Sequence, residues 1–160
     1  MRRAAPMIAP LAMLLAGLIL GGPAAAAETK APPKLTLSSL PAAVQKTVKV
    51  ESKGAVISAI TRETGEDGKP VYEIESKVKG LIHDYIVGED GTVLISERQV
   101  ALDALPAPIR KGMIKAAAGR TIGVVESVTR SGKLAFYEAQ VGTAKVPAEI
   151  KVGLDGVVIP

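Results

Sequence analysis

The side chains able to do chemistry are few in this chain of 160 residues, and the first is its single histidine, His83. An imidazole can act as a general base or as a metal ligand near neutral pH. Either role needs partners, but the chain has no cysteine and no second histidine. It also contains neither a nucleophile elbow nor a glycine-rich phosphate loop. A histidine held in a strand at the edge of a sheet therefore explains His83 better than catalysis does.

A pair of carboxylates, Glu73 and Glu75, is the second candidate. Alternate residues of a strand share one face, so the two acids could act together as general acid and base. Lys69 and Lys77 flank them in the sequence. These lysines favour a solvated, ion-paired sheet face over a catalytic pair.

Two Asp-Gly pairs, at Asp90 and at Asp155, could indicate calcium sites. A calcium loop needs further acidic ligands at alternate positions, and neither segment supplies them. Asp-Gly is also a strong signal for a tight hairpin turn. The sequence thus predicts turns at these positions, and it predicts no catalytic residue, no cofactor and no metal site.

The elements that must position these residues occur twice. Three residue pairs and one glycine recur 65 positions later in the chain: Leu40-Pro41 as Leu105-Pro106, Gly54 as Gly119, Tyr72-Glu73 as Tyr137-Glu138, and Asp90-Gly91 as Asp155-Gly156. A period of this size indicates a duplicated small domain rather than a solenoid. We expect an α+β protein of two tandem repeats, residues 38–98 and 99–160, each a short helix followed by an antiparallel sheet of about four strands.

Each predicted helix is short and amphipathic. Ser38 or Ser39 could cap the first helix, whose first turn accepts Pro41, and Gly119 is well placed to end the second. The apolar stripes are Leu40, Val44 and Val48 in the first helix and Leu105, Ile109 and Met113 in the second. Alternating β-branched runs separated by glycine turns predict strands at 55–63, 69–77, 81–87, 92–96, 121–130, 133–141, 149–152 and 157–159.

Alternation also assigns the two faces of the sheet. Tyr72 and Tyr137 are expected to point towards the helices and to anchor the sheet from the core side. The outward residues nominated as an accessible partner-binding surface are Glu73, Glu75, Phe136 and Glu138. On this interpretation, charge reversal at Glu73 and Glu138 weakens partner binding and leaves the melting temperature unchanged.

The N-terminus predicts export. Arg2 and Arg3 form a basic start, residues 7–20 are an apolar run, and Ala25-Ala26-Ala27 offers the small residues that a signal peptidase needs. We expect residues 1–27 to be a signal peptide, followed by an extended linker at 28–37. An apolar core of about 14 residues is short of the roughly 20 that span a bilayer, and no cysteine follows it for lipid attachment. The mature chain is therefore expected in the periplasm, without a stable membrane span, and secretion beyond it stays open.

Composition narrows the class of partner. Removing the signal peptide lowers the formal charge from +4 to +2, because Arg2 and Arg3 leave with it. Such a small, interspersed charge does not favour nucleic acid. With one Phe, three Tyr and no Trp, the chain also lacks the stacking platforms expected for single strands. Without cysteine, an exported protein must obtain its stability from its core and its sheet.

Each repeat contains, in the same order, a helix led by Leu-Pro, a hairpin with Tyr-Glu and a strand that ends in an Asp-Gly turn. This arrangement resembles the PepSY-like domains, which are related in fold to the β-lactamase inhibitor protein. The matching segments are 40–44, 71–75 and 87–91 in the first repeat and 105–109, 137–139 and 152–156 in the second. The resemblance covers about residues 37–160 and implies non-enzymatic domains that bind or restrain peptidases and other exported proteins. Two features depart from it: Ala148 stands where a second His83 would be, and the inhibitor's disulfides are absent.

Three functions follow, in order of preference. The first is an exported, non-enzymatic binding protein that inhibits or modulates an envelope protein, such as a peptidase, through its sheet face. The second is a periplasmic accessory protein or sensor that binds a small ligand or a cation between the repeats. The third is an envelope hydrolase or lyase, which would need polar groups converging on His83 or Glu73. The oligomeric state stays open.

Overall fold

A computed structural model describes residues 35–143 and 146–160. The predicted signal peptide and the linker up to residue 34 lie outside the described residues. The helices are α1 (Ala42–Glu51) and α2 (Ala107–Ala117), each preceded by a short 3-10 turn, Leu37–Ser39 and Leu102–Ala104. The strands are β1 (Ala55–Thr64), β2 (Pro70–Val78), β3 (Leu81–Gly88), β4 (Val93–Gln99), β5 (Ile122–Arg130), β6 (Lys133–Thr143), β7 (Val146–Gly153) and β8 (Val158–Ile159).

All eight strands form one antiparallel sheet in chain order, from β1 to β8. The element order is a helix and four strands, followed by a second helix and four strands. β4 pairs with β5 over five residue pairs, Ile95↔Arg130 to Gln99↔Glu126, so the first four strands continue directly into the last four. The predicted α+β class is confirmed, and every predicted strand overlaps an observed one. Among the described residues, no helix has the length and apolar content to cross a bilayer.

Both helices pack on one side of the sheet, where they form two separate apolar clusters. Val44 and Val48 of α1 are fully buried against Tyr85 and other residues of the first four strands. Ile109 and Met113 of α2 are buried against the last four. Residues spaced by four along a helix lie on one face, and alternate residues of a strand share one side, so these periodicities place the apolar side chains together.

The start of α1 differs from the expectation. The helix begins at Ala42 with Pro41 as its N-cap residue, and neither serine caps it with a side chain. Ser39 instead closes the preceding 3-10 turn, where its hydroxyl donates to the carbonyl of Thr36 at 2.7 Å. Proline at the cap supplies a fixed φ near −55°, which orients the chain for entry into the helix without a side-chain hydrogen bond.

Each helix also contacts the last hairpin turn of its four strands. The Thr47 hydroxyl of α1 donates to the Gly91 carbonyl at 2.6 Å. In α2 the backbone of Gly112 lies directly against the Gly156 carbonyl. Gly156 has a φ of +82°, and a Cβ there would lie 2.6 Å from the Pro108 carbonyl oxygen, so this turn requires glycine.

We expect Tyr85→Phe to lower the free energy of unfolding by about 1 kcal/mol. The Tyr85 side chain is fully buried, and its hydroxyl lies 2.5 Å from the Ser52 hydroxyl at the end of α1. The substitution keeps the ring and removes this hydrogen bond between helix and sheet. Urea unfolding measures the change. In the control Tyr137→Phe no hydrogen bond to a described residue is lost, and equal losses in both variants would contradict the assignment.

Candidate functional site on the helix-free face

The side of the sheet opposite α1 and α2 carries no second layer within residues 35–143 and 146–160, and we call it the helix-free face. Strand alternation and register place many carboxylates on this face. They are Glu63, Glu73, Glu75, Asp84, Glu97, Glu126, Glu138 and Glu149. Lys77, Arg130 and Lys151 lie on the same face. Further basic residues lie on the helices, where they include Lys46, Lys49, Arg110, Lys111 and Lys115. Carboxyl groups therefore outnumber basic residues on the helix-free face.

The predicted division of the sheet into two faces agrees with the structure. Tyr72 belongs to the first apolar cluster, and Tyr137 packs against the second. Glu73, Glu75 and Phe136 lie on the opposite side. So does Glu138, which pairs with Glu126 across β5 and β6. Their role in binding a partner stays a prediction.

The expectation that these residues are accessible is wrong for three of the four. Glu73 is 4% exposed, Phe136 6% and Glu138 4%, while Glu75 is half-buried. The register shifts within three strand pairs, β1–β2, β3–β4 and β5–β6. Such bulges increase twist and bend strands, which lets side chains of neighbouring strands pack over one another. Charge reversal at Glu73 or Glu138 would therefore bury a lysine, and the melting temperature would fall.

Glu73 forms no ion pair with a described residue, contrary to the expectation. Lys69 pairs with Asp67 at 3.0 Å, and Glu73 accepts a hydrogen bond from the Thr61 hydroxyl at 3.2 Å. The other carboxylate oxygen, Oε1, is buried and has no hydrogen-bond partner among the described residues. Burial, with a smaller contribution from the Glu63 charge, raises the pKa of Glu73 to about 7. The loss of hydration disfavours the charged carboxylate here.

Phe136 is covered by two cations. The Arg130 guanidinium lies 5.5 Å from the centre of the ring, and the Lys151 ammonium lies 5.7 Å from it. Both distances are within the range of cation–π attraction. Lys151 also pairs with Glu149 at 3.4 Å. These two cations are thus engaged at the Phe136 end of the face.

The centre of the helix-free face holds three glutamates from three adjacent strands, Glu97 of β4, Glu126 of β5 and Glu138 of β6. We call them the acidic triad. One carboxylate oxygen from each lies within 4.8 Å of the other two. Glu126 and Glu138 are direct cross-strand partners, and Glu97 is paired with Val128, two residues further along β5. The triad therefore bridges the first four strands and the last four.

Burial is the largest influence on the titration of the triad. It raises the pKa of Glu97 to about 9, with the Glu138 charge as the next cause. The pKa values of Glu126 and Glu138 rise to about 7, again through burial first and then through neighbouring carboxylates. Burial is also the main reason that the pKa of Asp84, the partner of Glu97 across β3 and β4, rises to about 6. Like charges crowded in a poorly hydrated site disfavour ionisation.

Sequence reasoning did not nominate Glu97 or Glu126. The predicted fourth strand ends at Ser96 and excludes Glu97, whereas the observed strand continues to Gln99. Alternation after Ile95 would have placed Glu97 on the outward face. The proximity of Glu97 to Glu126 depends on the pairing of β4 with β5, which no local pattern in the sequence indicates.

His83 is buried on the helix side, beside Tyr85, whose ring centre is 5.2 Å away. β3 is paired on both sides, so the expectation of a histidine at the sheet edge is wrong. The imidazole Nε2 lies 3.4 Å from the Ser96 hydroxyl, and Nδ1 is buried without a hydrogen-bond partner in the described part of the chain. Burial, with the Arg98 charge next, lowers the pKa of His83 and favours the neutral ring.

The two Asp-Gly pairs form the predicted hairpin turns. Asp90 Oδ1 accepts a hydrogen bond from the Thr92 amide at 2.9 Å, and Asp155 Oδ1 accepts one from the Val157 amide at the same distance. Each carboxylate thus mimics a backbone acceptor two residues before its donor. Neither aspartate is near the acidic triad in the sheet register, because both lie beyond the strand ends.

The chain matches no protein-family model and no curated protein by sequence. Its fold resembles solved structures from Bacteroides. A candidate periplasmic protein of B. eggerthii has a TM-score of 0.59 at 16% identity, with 76% of this chain and 86% of that chain covered. A DUF2874 family protein of B. ovatus has a TM-score of 0.57 at 16% identity, with the same coverage.

A third similar structure is a BLIP-like protein of B. fragilis, with a TM-score of 0.53 at 13% identity. It covers 74% of this chain and 82% of its own. These likenesses show a BLIP-like fold for the chain described here.

Proposed function

We propose that the mature chain is an exported, non-enzymatic binding protein of the periplasm that holds a protein partner against its helix-free face. The proposal includes two finer points, that residues 38–98 and 99–160 are tandem PepSY-like units and that residues 1–27 direct export. The predicted signal peptide supports the periplasmic location. The description of a structural neighbour as a candidate periplasmic protein is consistent with it.

The observation that carries the proposal is the excess of carboxyl groups over basic residues on this face. Glu73, Glu97 and Glu138 are buried, and each has a carboxylate oxygen without a hydrogen-bond partner among the described residues. A buried polar group without a partner costs free energy. Positive side chains of a partner at the rim of the face would favour the ionised form of these carboxyl groups through their charge, so the face is suited to a basic surface.

The accessible rim of the face is where such a partner would first make contact. Glu75 is half-buried and Glu149 exposed, at opposite sides of the acidic triad in the sheet order. The partner class we propose is an envelope protein that presents lysine or arginine side chains to this rim. If those side chains surround the active site of an envelope peptidase, binding would inhibit it. Complementary charge mainly increases the association rate and the specificity.

A photo-crosslinking experiment tests the position of the partner. A photoreactive amino acid replaces Glu75 on the helix-free face or, in a matched protein, Lys111 on the exposed side of α2. The full chain is expressed in its native envelope and irradiated. We expect a discrete crosslinked protein from position 75 and none from position 111. Equal products from both positions, or none from position 75, would contradict the proposal.

The double variant Glu75→Lys/Glu149→Lys is expected to reduce the crosslinked or captured partner at least about tenfold, because like charges then meet across the contact. Glu66→Lys/Glu89→Lys makes the same change of charge at two exposed turn residues, and it is expected to keep binding. Quantitative mass spectrometry measures the captured partner. A comparable loss in both variants would show an effect of net charge alone and would count against this face.

A further inference from the structure

The acidic triad also has the features of a cation site. Glu97, Glu126 and Glu138 bring three carboxylate oxygens within 4.8 Å of one another. Each side chain comes from a different central strand of the sheet. Strand backbones hydrogen-bonded on both sides are rigid supports, so the three oxygens are held together by the fold rather than by a flexible loop.

A second observation points to a ligand at this position. Glu97 is 3% exposed and Glu138 4%. Each has a buried carboxylate oxygen, Oε1 and Oε2 respectively, without a hydrogen-bond partner in residues 35–143 and 146–160. Buried carboxylates are normally paired, hydrogen-bonded or bound to metal. With the half-buried Glu126 beside these two groups, the three carboxylates can all be ionised at low cost only if a positive charge lies between them.

The described side chains next to the triad do not place a positive charge between its three carboxylates. Lys151 is the cross-strand partner of Glu138, but its ammonium group pairs with Glu149 and lies over the Phe136 ring. Gln99, the partner of Glu126 in β4, uses its side-chain oxygen to accept a hydrogen bond from the Ile82 amide. The neighbouring Asp84 adds another carboxylate beside Glu97, and its Oδ1 accepts a hydrogen bond from the Ser76 amide.

We infer that Glu97, Glu126 and Glu138 bind one divalent calcium ion at the junction of the two halves of the sheet. The ligands are all oxygen atoms, which favours a hard cation over zinc or copper. Carboxylates can bind calcium through one or both oxygens, and calcium accepts six to eight oxygen ligands in a flexible geometry. Magnesium usually keeps several water molecules, for which two buried carboxylates leave little access. The site lies on the helix-free face to which we assign the partner, but calcium binding can be tested on purified protein without a partner, so the two proposals can fail independently.

Calorimetric titration of metal-free protein with calcium chloride at pH 7.5 is the direct test. We expect one ion per chain with a Kd of about 10⁻⁴ M, in the range of extracellular calcium modules, and at least about tenfold weaker binding of magnesium. At 5 mM calcium the melting temperature should rise by about 5–10 °C, because the ion binds only the folded chain. A folded protein that gives no binding heat and no thermal shift would overturn the inference.

Conservative variants locate the ion. Glu97→Gln and Glu126→Gln keep the shape of the side chain and remove a carboxylate ligand, and each is expected to weaken calcium binding at least about tenfold. Glu89→Gln removes the same charge from an exposed turn residue, and it is expected to bind as the wild type does. Unchanged binding in both triad variants, or an equal loss in Glu89→Gln, would overturn the assignment. Glu126 is half-buried, so its variant provides the answer if Glu97→Gln does not fold.

Discussion

Gly112→Ala is expected to lower the free energy of unfolding by about 3 kcal/mol, although alanine is the better helix former. Helix propensity alone predicts a gain of about 1 kcal/mol at an interior position. A Cβ at residue 112, however, would overlap the carbonyl oxygen of Gly156 and lie 3.0 Å from its carbonyl carbon. Backbone atoms cannot rotate away as a flexible side chain can, so α2 or the β7–β8 turn must shift, and overpacking of this kind costs about 1–3 kcal/mol or more.

Urea unfolding followed by circular dichroism tests this prediction. The urea concentration at the unfolding midpoint should fall, while the dependence of the free energy of unfolding on urea concentration stays unchanged. Two variants separate the contact from other effects. Lys111→Ala changes an exposed neighbour in the same helix and should leave stability nearly unchanged. Gly119 follows the C-cap residue of α2 and has a φ of +80°, and no described atom would lie within 4 Å of a Cβ at this residue. Alanine there should cost only about 1 kcal/mol of backbone strain. An increased midpoint for Gly112→Ala would show that the turn moves freely.

Glu73→Gln is expected to raise the free energy of unfolding by about 1–3 kcal/mol at pH 8 and to change it little at pH 4. The pKa of Glu73 is about 7 in the folded protein, above the ordinary value of 4.5, mainly because the side chain is buried. The contribution of a group with a raised folded pKa is fully present below its unfolded pKa and is lost as the pH rises through the folded pKa. The wild type should therefore lose stability between about pH 4.5 and pH 7, and the glutamine variant should lose less.

Thermal unfolding at half-unit steps from pH 4 to pH 8 measures this dependence in metal-free buffer. Glu66→Gln is the matched control, because Glu66 is an exposed turn residue on the same hairpin, and its pH profile should follow that of the wild type. A Glu73→Gln profile parallel to the wild-type profile would mean that Glu73 titrates normally. A loss of stability at every pH would mean that the carboxylate makes a contact that the amide cannot replace.

The pairing of helix and turn shows how far a sequence repeat can be interpreted. Thr47 and Gly112 occupy equivalent positions in the two halves, and so do Gly91 and Gly156. In the first half a threonine hydroxyl reaches the turn carbonyl, and in the second the helix backbone itself meets it. The repeat predicts that a contact recurs, but the distance between helix and turn depends on the packing of the whole core.

Local patterns determined the elements of this protein. Period-two alternation and the glycine turns located every strand, and the apolar spacing located both helices, because side-chain direction follows directly from backbone geometry. The same alternation assigned Tyr72 and Tyr137 to the helix side and Glu73, Glu75, Phe136 and Glu138 to the opposite side. Strand ends follow local patterns less closely: the predicted fourth strand ends at Ser96, whereas β4 continues through Glu97 to Gln99.

Only the tertiary structure decided which outward residues are exposed and which carboxylates meet. Sequence spacing gives the face of a residue, but its burial depends on the curvature of the sheet and on side chains of neighbouring strands, so Glu73 and Glu138 proved to be buried. The acidic triad needs β4 to pair with β5 in one register, a contact between the two halves that no repeat within either half encodes. Burial and proximity are properties of non-local packing, and they raise the pKa values on this face.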